Sequence, residues 1–275
     1  MPFGSPSSGY VNVGGLKLHY LDWGGKGQTL LLLHGLTSNA RSWDIFAPAM
    51  LPDYRVIALD QRGHGNSQWA DSYLTGDFAA DAAGVIQSLS LGKVIVVGLS
   101  LGGRNAFVFA ARYPDLVDKL VIVDIGPDLA KAGGARVKTN VRTAPAELDS
   151  VAEGISFVRE ANPTFADERI RHQVEHNLRQ REDGKWVWKY DPGLARITGR
   201  AGREDLWPVL GEIRCPTLIM RGADSDILSP EDALRMKETI RGSQLVEVPE
   251  AGHPVPLDNP AGFEAAVKRF LGRPA

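Results

Sequence analysis

Two stretches of the chain carry residue types whose spacing can do chemistry together. Gly98-Leu99-Ser100-Leu101-Gly102 reads G-x-S-x-G, a pattern whose flanking glycines permit a turn so sharp that the serine hydroxyl stands exposed between a strand and a helix. A serine hydroxyl is a weak nucleophile until a neighbouring base takes its proton, and an imidazole titrating near neutral pH suits that task. Of the six histidines, His19 falls inside a strand, His172 and His176 on a polar helix, and His34 and His64 in glycine-flanked loops. His253, in the loop after the last strand, is the candidate base. A carboxylate must then hold the imidazole in one tautomer and stabilise its cation. Asp224 and Asp226 follow one predicted strand and Asp124 ends another, so the residues alone leave three acids open.

The elements that position these groups follow from periodicity. Tyr10–Val13 and Leu16–Trp23 flank Gly14-Gly15, a pair suited to a two-residue hairpin turn. Thr29–Leu33, Tyr54–Leu59, Lys93–Gly98, Val117–Ile125, Thr217–Arg221 and Gln244–Val248 are short apolar runs of the kind buried on both faces of a parallel sheet. Helices are expected from a Ser42 cap to about Leu51, from near Thr75 to Leu89, over Leu101–Ala111, from Pro230 after a Ser229 cap, and from Asn259-Pro260 onward. This alternation predicts an α/β architecture with a mostly parallel sheet covered by helices on both faces. From Gly126 to Pro208 the alternation stops and the composition turns polar, with helical stretches near Glu147–Ala161 and Asp167–Gln180. The expected organisation is a core over 1–125, an inserted cap over 126–208 and the rest of the core over 209–275.

At 275 residues, 43% of them hydrophobic and 23% charged, the chain has the composition of a large globular domain. Its 31 basic residues against 33 acidic ones, without a basic cluster, leave no footprint for nucleic acid or an anionic membrane. A small molecule is the expected partner, and a homodimer is left open. The single cysteine, Cys215, cannot form an internal disulfide or a cysteine zinc cluster, and it reads as a small buried residue. Residues 1–9 lack the charged and apolar regions of a signal peptide. The expectation is therefore a cytoplasmic protein with a frayed N-terminal tail, no cofactor and no metal.

Taken together, His34-Gly35, Asp60-Gln61-Arg62-Gly63-His64-Gly65-Asn66-Ser67, Gly98-Leu99-Ser100-Leu101-Gly102-Gly103 and Gly252-His253 resemble the α/β-hydrolase superfamily. The resemblance implies an eight-stranded sheet with a mainly helical cap. It implies Ser100 as nucleophile and His253 as base. Asp226, counted back from Pro230, takes the position the family's acid usually holds, with Asp224 and then Asp124 behind it. Backbone N–H groups of Leu36 and Leu101 would form the oxyanion hole. His34 and the Asp60–Ser67 loop would shape the floor of the site, and His34 is also a substrate-binding candidate. The runs Ser100–Asn105 and Trp188–Pro192 are similar to those of 2-(acetamidomethylene)succinate hydrolase and enol-lactonase relatives, which makes Arg104 a candidate for a substrate carboxylate. Trp188 is a further substrate-binding candidate, weighed against simple packing of the cap.

Serine at the elbow separates this chain from dehalogenases and epoxide hydrolases of the superfamily, which attack with aspartate. Pro254 stands where ring-cleavage C–C hydrolases often carry tryptophan. The resemblance therefore implies hydrolysis of a small carboxylic ester or lactone through an acyl-enzyme, in the carboxylesterase or lactonase class. Alternatives are a C–C or C–N bond hydrolase of a catabolic pathway, a perhydrolase side activity, and a ligand receptor on the same fold.

Overall fold

A computed structural model describes residues 5–163, 165–200 and 204–273. The chain opens with an antiparallel hairpin, β1 (Ser7–Val13) and β2 (Leu16–Gly24), turned at Gly14 and Gly15 with φ of 55° and 83°. Positive φ at both central residues is what a type I′ turn requires and what glycine tolerates. Order thus begins at Ser7, inside the stretch expected to fray; residues 1–4 lie outside the described ones. There follow β3 (Thr29–Leu33), α1 (Phe46–Met50), β4 (Arg55–Leu59), α2 (Thr75–Ser88), β5 (Val94–Leu99), α3 (Leu101–Arg112) and β6 (Val117–Val123). The expected helix from Ser42 is instead a 3-10 turn over Ala40–Trp43, capped by Asn39, and then the short α1.

After β6 the chain leaves the sheet. This inserted segment holds α4 (Lys131–Thr143), α5 (Val151–Ala161), α6 (Asp167–Asn177), the small hairpin β7 (Leu178–Gln180) and β8 (Trp186–Trp188), α7 (Ala195–Arg200) and α8 (Trp207–Leu210). The main sheet resumes with β9 (Thr217–Gly222), α9 (Pro230–Thr239), β10 (Gln244–Val248), α10 (Val255–Asp258) and α11 (Pro260–Phe270). The eight strands run in the order β1-β2-β4-β3-β5-β6-β9-β10, antiparallel at β1-β2 and β2-β4 and parallel from β4 to β10.

Strand residues alternate between two cores. Leu31, Leu33, Val96 and Ile122 face a core with α2 and α3, while Leu30, Leu32, Val97 and Val121 face one with α1 and α11. Each such residue is withdrawn from water, contributing about 1.5–3 kcal/mol, which makes the sheet a rigid mount for the loops at its carboxyl edge. The inserted segment has a small core of its own, in which Leu148, Val158, Ile170, Val174 and Trp188 meet. Its later part returns to the main body, where Leu206 and Leu210 join the α2–α3 core. Among the contacts that tie the segment down, the Tyr73 hydroxyl donates to Asp191 Oδ2 at 2.5 Å, the Asn177 amide donates to the Thr37 carbonyl at 3.1 Å, and the Asn39 amide to the His176 carbonyl at 3.1 Å. Among the described residues, no helix is long and apolar enough to cross a membrane. Cys215 is free and half-buried rather than buried.

Candidate active site

β5 delivers the serine. At Ser100 the backbone takes φ 55° and ψ −120°, a sparsely populated conformation that breaks the strand and starts α3 in one residue. The Ser100 N–H still donates to the Val123 carbonyl at 3.0 Å, and its own carbonyl accepts from Arg104 N–H at 2.9 Å. Both neighbouring glycines are required by space. A Cβ at Gly98 would lie 2.3 Å from the Gly102 oxygen, and one at Gly102 would lie 2.2 Å from the Leu33 oxygen.

His253 arrives from the loop between β10 and α10. Its Nε2 stands 2.9 Å from Ser100 Oγ and its Nδ1 2.8 Å from Asp124 Oδ2. The network assigns the tautomer: Nδ1–H donates to the carboxylate, and the serine hydroxyl donates to Nε2. Asp124 follows the last residue of β6, adjacent to β5, and is fully buried. Its Oδ1 accepts from Gly222 N–H at 3.0 Å, and its Oδ2 accepts from the Ser225 hydroxyl at 2.5 Å as well as from His253. Ser225 Oγ is itself fixed by the Ile227 and Leu228 N–H groups at 3.1 and 3.2 Å. The carboxylate is thus locked in place before any ligand arrives.

The expected contact of Asp226 with His253 is therefore corrected: the carboxylate that meets the imidazole belongs to Asp124. Asp226 is turned away by Arg136, whose Nε and Nη2 donate to its two oxygens at 2.8 and 2.7 Å. That paired guanidinium holds the Asp226 carboxyl below its usual range. Arg136 belongs to α4, which the sequence reading lacks because Gly133 and Gly134 disfavour a helix there. Gly133 is needed for close approach, since a Cβ there would lie 2.1 Å from the Asp226 carbonyl oxygen. Asp224 borders the same cavity without reaching His253.

Two further candidates are also corrected. His34 is fully buried, its Nδ1–H donating to the Gly35 carbonyl at 2.8 Å and its Nε2 accepting from Gln61 N–H at 3.1 Å. Both nitrogens are spent on backbone, and burial pulls its pKa down, so the ring supports the loop rather than a ligand. His64 behaves likewise: it is buried, donates to the Arg62 carbonyl, and is pushed down to about 3 chiefly by desolvation. Arg104 donates through Nη2 to the Gly126 and Pro127 carbonyls at 3.2 and 2.7 Å. It pins the chain leaving β6 and is not among the residues that border the cavity.

A cavity of about 950 Å³ opens onto Ser100 and His253. Leu36 borders it, and Gly35 packs so closely that a Cβ there would lie 3.5 Å from Ser100 Cβ. Leu101 opens α3, where first-turn N–H groups lack an intrahelical acceptor. The far wall comes from the inserted segment and includes Phe157, Val158, Trp188 and Tyr190. Trp188 packs the inserted core, its ring stacking on Tyr190 at 5.9 Å and its Nε1–H donating to the Pro145 carbonyl at 3.1 Å, and it also borders the cavity.

With this geometry in hand, comparison with known proteins places the chain. A family model described as alpha/beta hydrolase fold matches residues 28–260. The chain is 31% identical over 290 residues to the 3-hydroxybutyrate-oligomer hydrolase of Cupriavidus necator, covering 98% of this chain and 99% of that protein. It is 31% identical over 262 residues to the esterase Rv0045c of Mycobacterium tuberculosis, covering 91% and 85% of the two chains. Among solved structures, that of E-2-(acetamidomethylene)succinate hydrolase superposes with a TM-score of 0.91 at 29% identity, covering 97% of this chain and 99% of the other.

Proposed function

Because this chain belongs to the alpha/beta hydrolase family, a hydrolase fold with hydrolase and esterase relatives, we propose that it cleaves small carboxylic esters or lactones through an acyl-enzyme formed on Ser100. The observation that carries this reading is the unbroken chain of contacts from Ser100 Oγ through His253 to the buried Asp124 carboxylate.

In the proposed reaction His253 Nε2 accepts the Ser100 proton as Oγ attacks the carbonyl carbon. The resulting imidazolium is stabilised by Asp124, which stays ionised. The tetrahedral oxyanion is received by the Leu36 and Leu101 N–H groups, donors that need no reorganisation as charge develops. His253 then protonates the leaving alkoxide, which in a lactone is the former ring oxygen and stays tethered to the acyl group as a hydroxyl. Water, deprotonated by the same imidazole, releases the acid and restores Ser100. The inserted segment acts as the cap that selects acyl and alcohol groups through its apolar wall.

A second reading is hydrolysis of a C–N bond. It is favoured by the backbone likeness to a hydrolase whose substrate name carries an acetamido group, and the same serine, base and oxyanion donors serve an acyl group leaving from nitrogen. The test is turnover of a panel of p-nitrophenyl esters, lactones and acylamides by the wild-type chain and by Ser100→Ala. Removal of the nucleophile should lower ester turnover by about ten thousand-fold or more, and a fluorophosphonate should label the wild type at Ser100. Undiminished turnover by Ser100→Ala overturns the reading, and a preference for the acylamides selects the second one.

A further inference from the structure

Asp44, His172 and His176 carry donor atoms that all lie within 4.8 Å of one another. None of them takes part in the chemistry assigned to Ser100. The two histidines stand one helical turn apart on α6, with ring centroids at 4.5 Å and planes at 73°. Residues at i and i+4 share a helix face, so both imidazoles project to one side. Opposite them, from the turn between Trp43 and α1, Asp44 brings its Oδ2 to 3.4 Å from His172 Nε2. The carbonyl of Arg41 lies 3.2 Å from the same nitrogen.

The carboxylate is the second observation that points to a cation. Asp44 Oδ1 is buried and accepts no hydrogen bond, so its desolvation is offset by the nearby Arg41 and His172 charges rather than by a donor held against it. Arg41, the guanidinium nearest to it, keeps its Nη1 at 3.6 Å, beyond hydrogen-bond range. That side chain is one-third exposed and is free to turn outward. Lys189 is the other cation that acts on His176.

We propose that Asp44, His172 and His176 form a binding site for a divalent ion of the zinc class. Two imidazole nitrogens and a carboxylate oxygen are a borderline donor set that suits zinc, cobalt or nickel over magnesium or calcium. Ligands around a tetrahedral ion at 2.0–2.2 Å stand about 3.3 Å apart, close to the 3.4 Å already held between His172 and Asp44. Small rotations of half-exposed rings close the remaining gaps, and the fourth position is left to water or to the Arg41 carbonyl. His172 and His176 border the main cavity; these histidines come from the inserted segment, while Asp44 comes from the body. An ion there staples α6 across the cavity rim to the turn that precedes α1.

The test uses the untagged, chelator-treated full chain titrated with zinc chloride by calorimetry and with cobalt(II) by visible absorption. The expected result is one equivalent bound in the micromolar range, a cobalt spectrum of four- or five-coordinate type, and a rise in Tm with zinc. Asp44→Asn should weaken binding at least ten-fold, and the double variant His172→Asn/His176→Asn should abolish it. Ser100→Ala should bind as the wild type does, so the outcome is independent of the proposed hydrolytic chemistry. Absence of binding below millimolar zinc, or stoichiometric binding that survives in the double variant, overturns the proposal. Should the double variant not fold, retention of full affinity by Asp44→Asn overturns it as well.

Discussion

Exchanging Asp124 for Asn, beside the same exchange at Asp226, separates the two carboxylates on chemical grounds. In Asp124→Asn one seat remains suited to oxygen: Oδ1 accepts from Gly222 N–H at 3.0 Å. The amide nitrogen then occupies the Oδ2 seat, 2.5 Å from the Ser225 hydroxyl and 2.8 Å from His253 Nδ1. The hydroxyl can turn to accept, but Nδ1 can accept only by giving up its proton. The imidazole is then protonated at Nε2, the atom that must receive the proton of Ser100. A wrong tautomer in an otherwise intact site costs about ten thousand-fold in kcat, or about 5.5 kcal/mol at 1.36 kcal/mol per decade. In Asp226→Asn the lost partner is Arg136, in a pair whose two side chains are 38–39% exposed. Such a pair contributes about 0–1 kcal/mol, so kcat should fall by less than about ten-fold, with any larger effect in KM because Asp226 borders the cavity. The assay is steady-state hydrolysis of a p-nitrophenyl ester by both variants, with circular dichroism as the check on folding. A thousand-fold loss in Asp226→Asn together with near-normal turnover in Asp124→Asn would refute the assignment.

Two further outcomes concern stability. Gly102→Ala places a Cβ 2.2 Å from a backbone oxygen of β3 and should cost about 2–3 kcal/mol, whereas Gly134→Ala, whose Cβ meets its nearest neighbour at 3.5 Å within α4, should be neutral or stabilise by up to about 1 kcal/mol; thermal melts of the two should shift in different directions or by clearly different amounts. Both His34 and His64 have folded pKa values held below the unfolded value, His64 at about 3. The unfolded chain therefore binds the extra protons, and stability is fully present above about pH 6.5 and falls as pH drops through the window toward His64's folded value. Each such histidine adds a slope of up to about 1.4 kcal/mol per pH unit. Urea unfolding that gives the same free energy at about pH 7 and about pH 5 would contradict the neutral, buried state of these rings.

The sheet was readable because its strands are written as short apolar runs: Thr29–Leu33 and Gln244–Val248 begin and end where the sequence places them. The Ser229 and Asn259 caps also stand where expected, each accepting from the N–H three residues on. Ser100 and His253 were readable because their neighbours are constrained by local geometry, glycines on both sides of one and a strand end before the other. The acid was not. Asp124, Asp224 and Asp226 all follow strands, and which of them meets the imidazole depends on lateral strand order and on Arg136, partners set by tertiary packing. The same limit applies to His34, whose two ring nitrogens bond backbone groups of Gly35 and Gln61, and to Arg104, whose Nη2 bonds the Gly126 and Pro127 carbonyls. A residue's type advertises what it can bind, while the fold decides whether that capacity is already spent. α6 ends three residues short of the expected stretch for a related reason, since Leu178–Gln180 continues its polar pattern but pairs with Trp186–Trp188 as a strand.

The seat of the buried carboxylate on β6 has a consequence for how such a chain can diversify. The turn after β9 keeps only supporting duties toward His253, supplied by Gly222 N–H and the Ser225 hydroxyl. Asp226 and its partner Arg136 form a separable couple, one from that turn and one from α4, both facing the cavity. Descendants can therefore exchange this couple for apolar, acidic or basic pairs and change what the cavity admits, while the serine, the imidazole and its carboxylate are inherited intact.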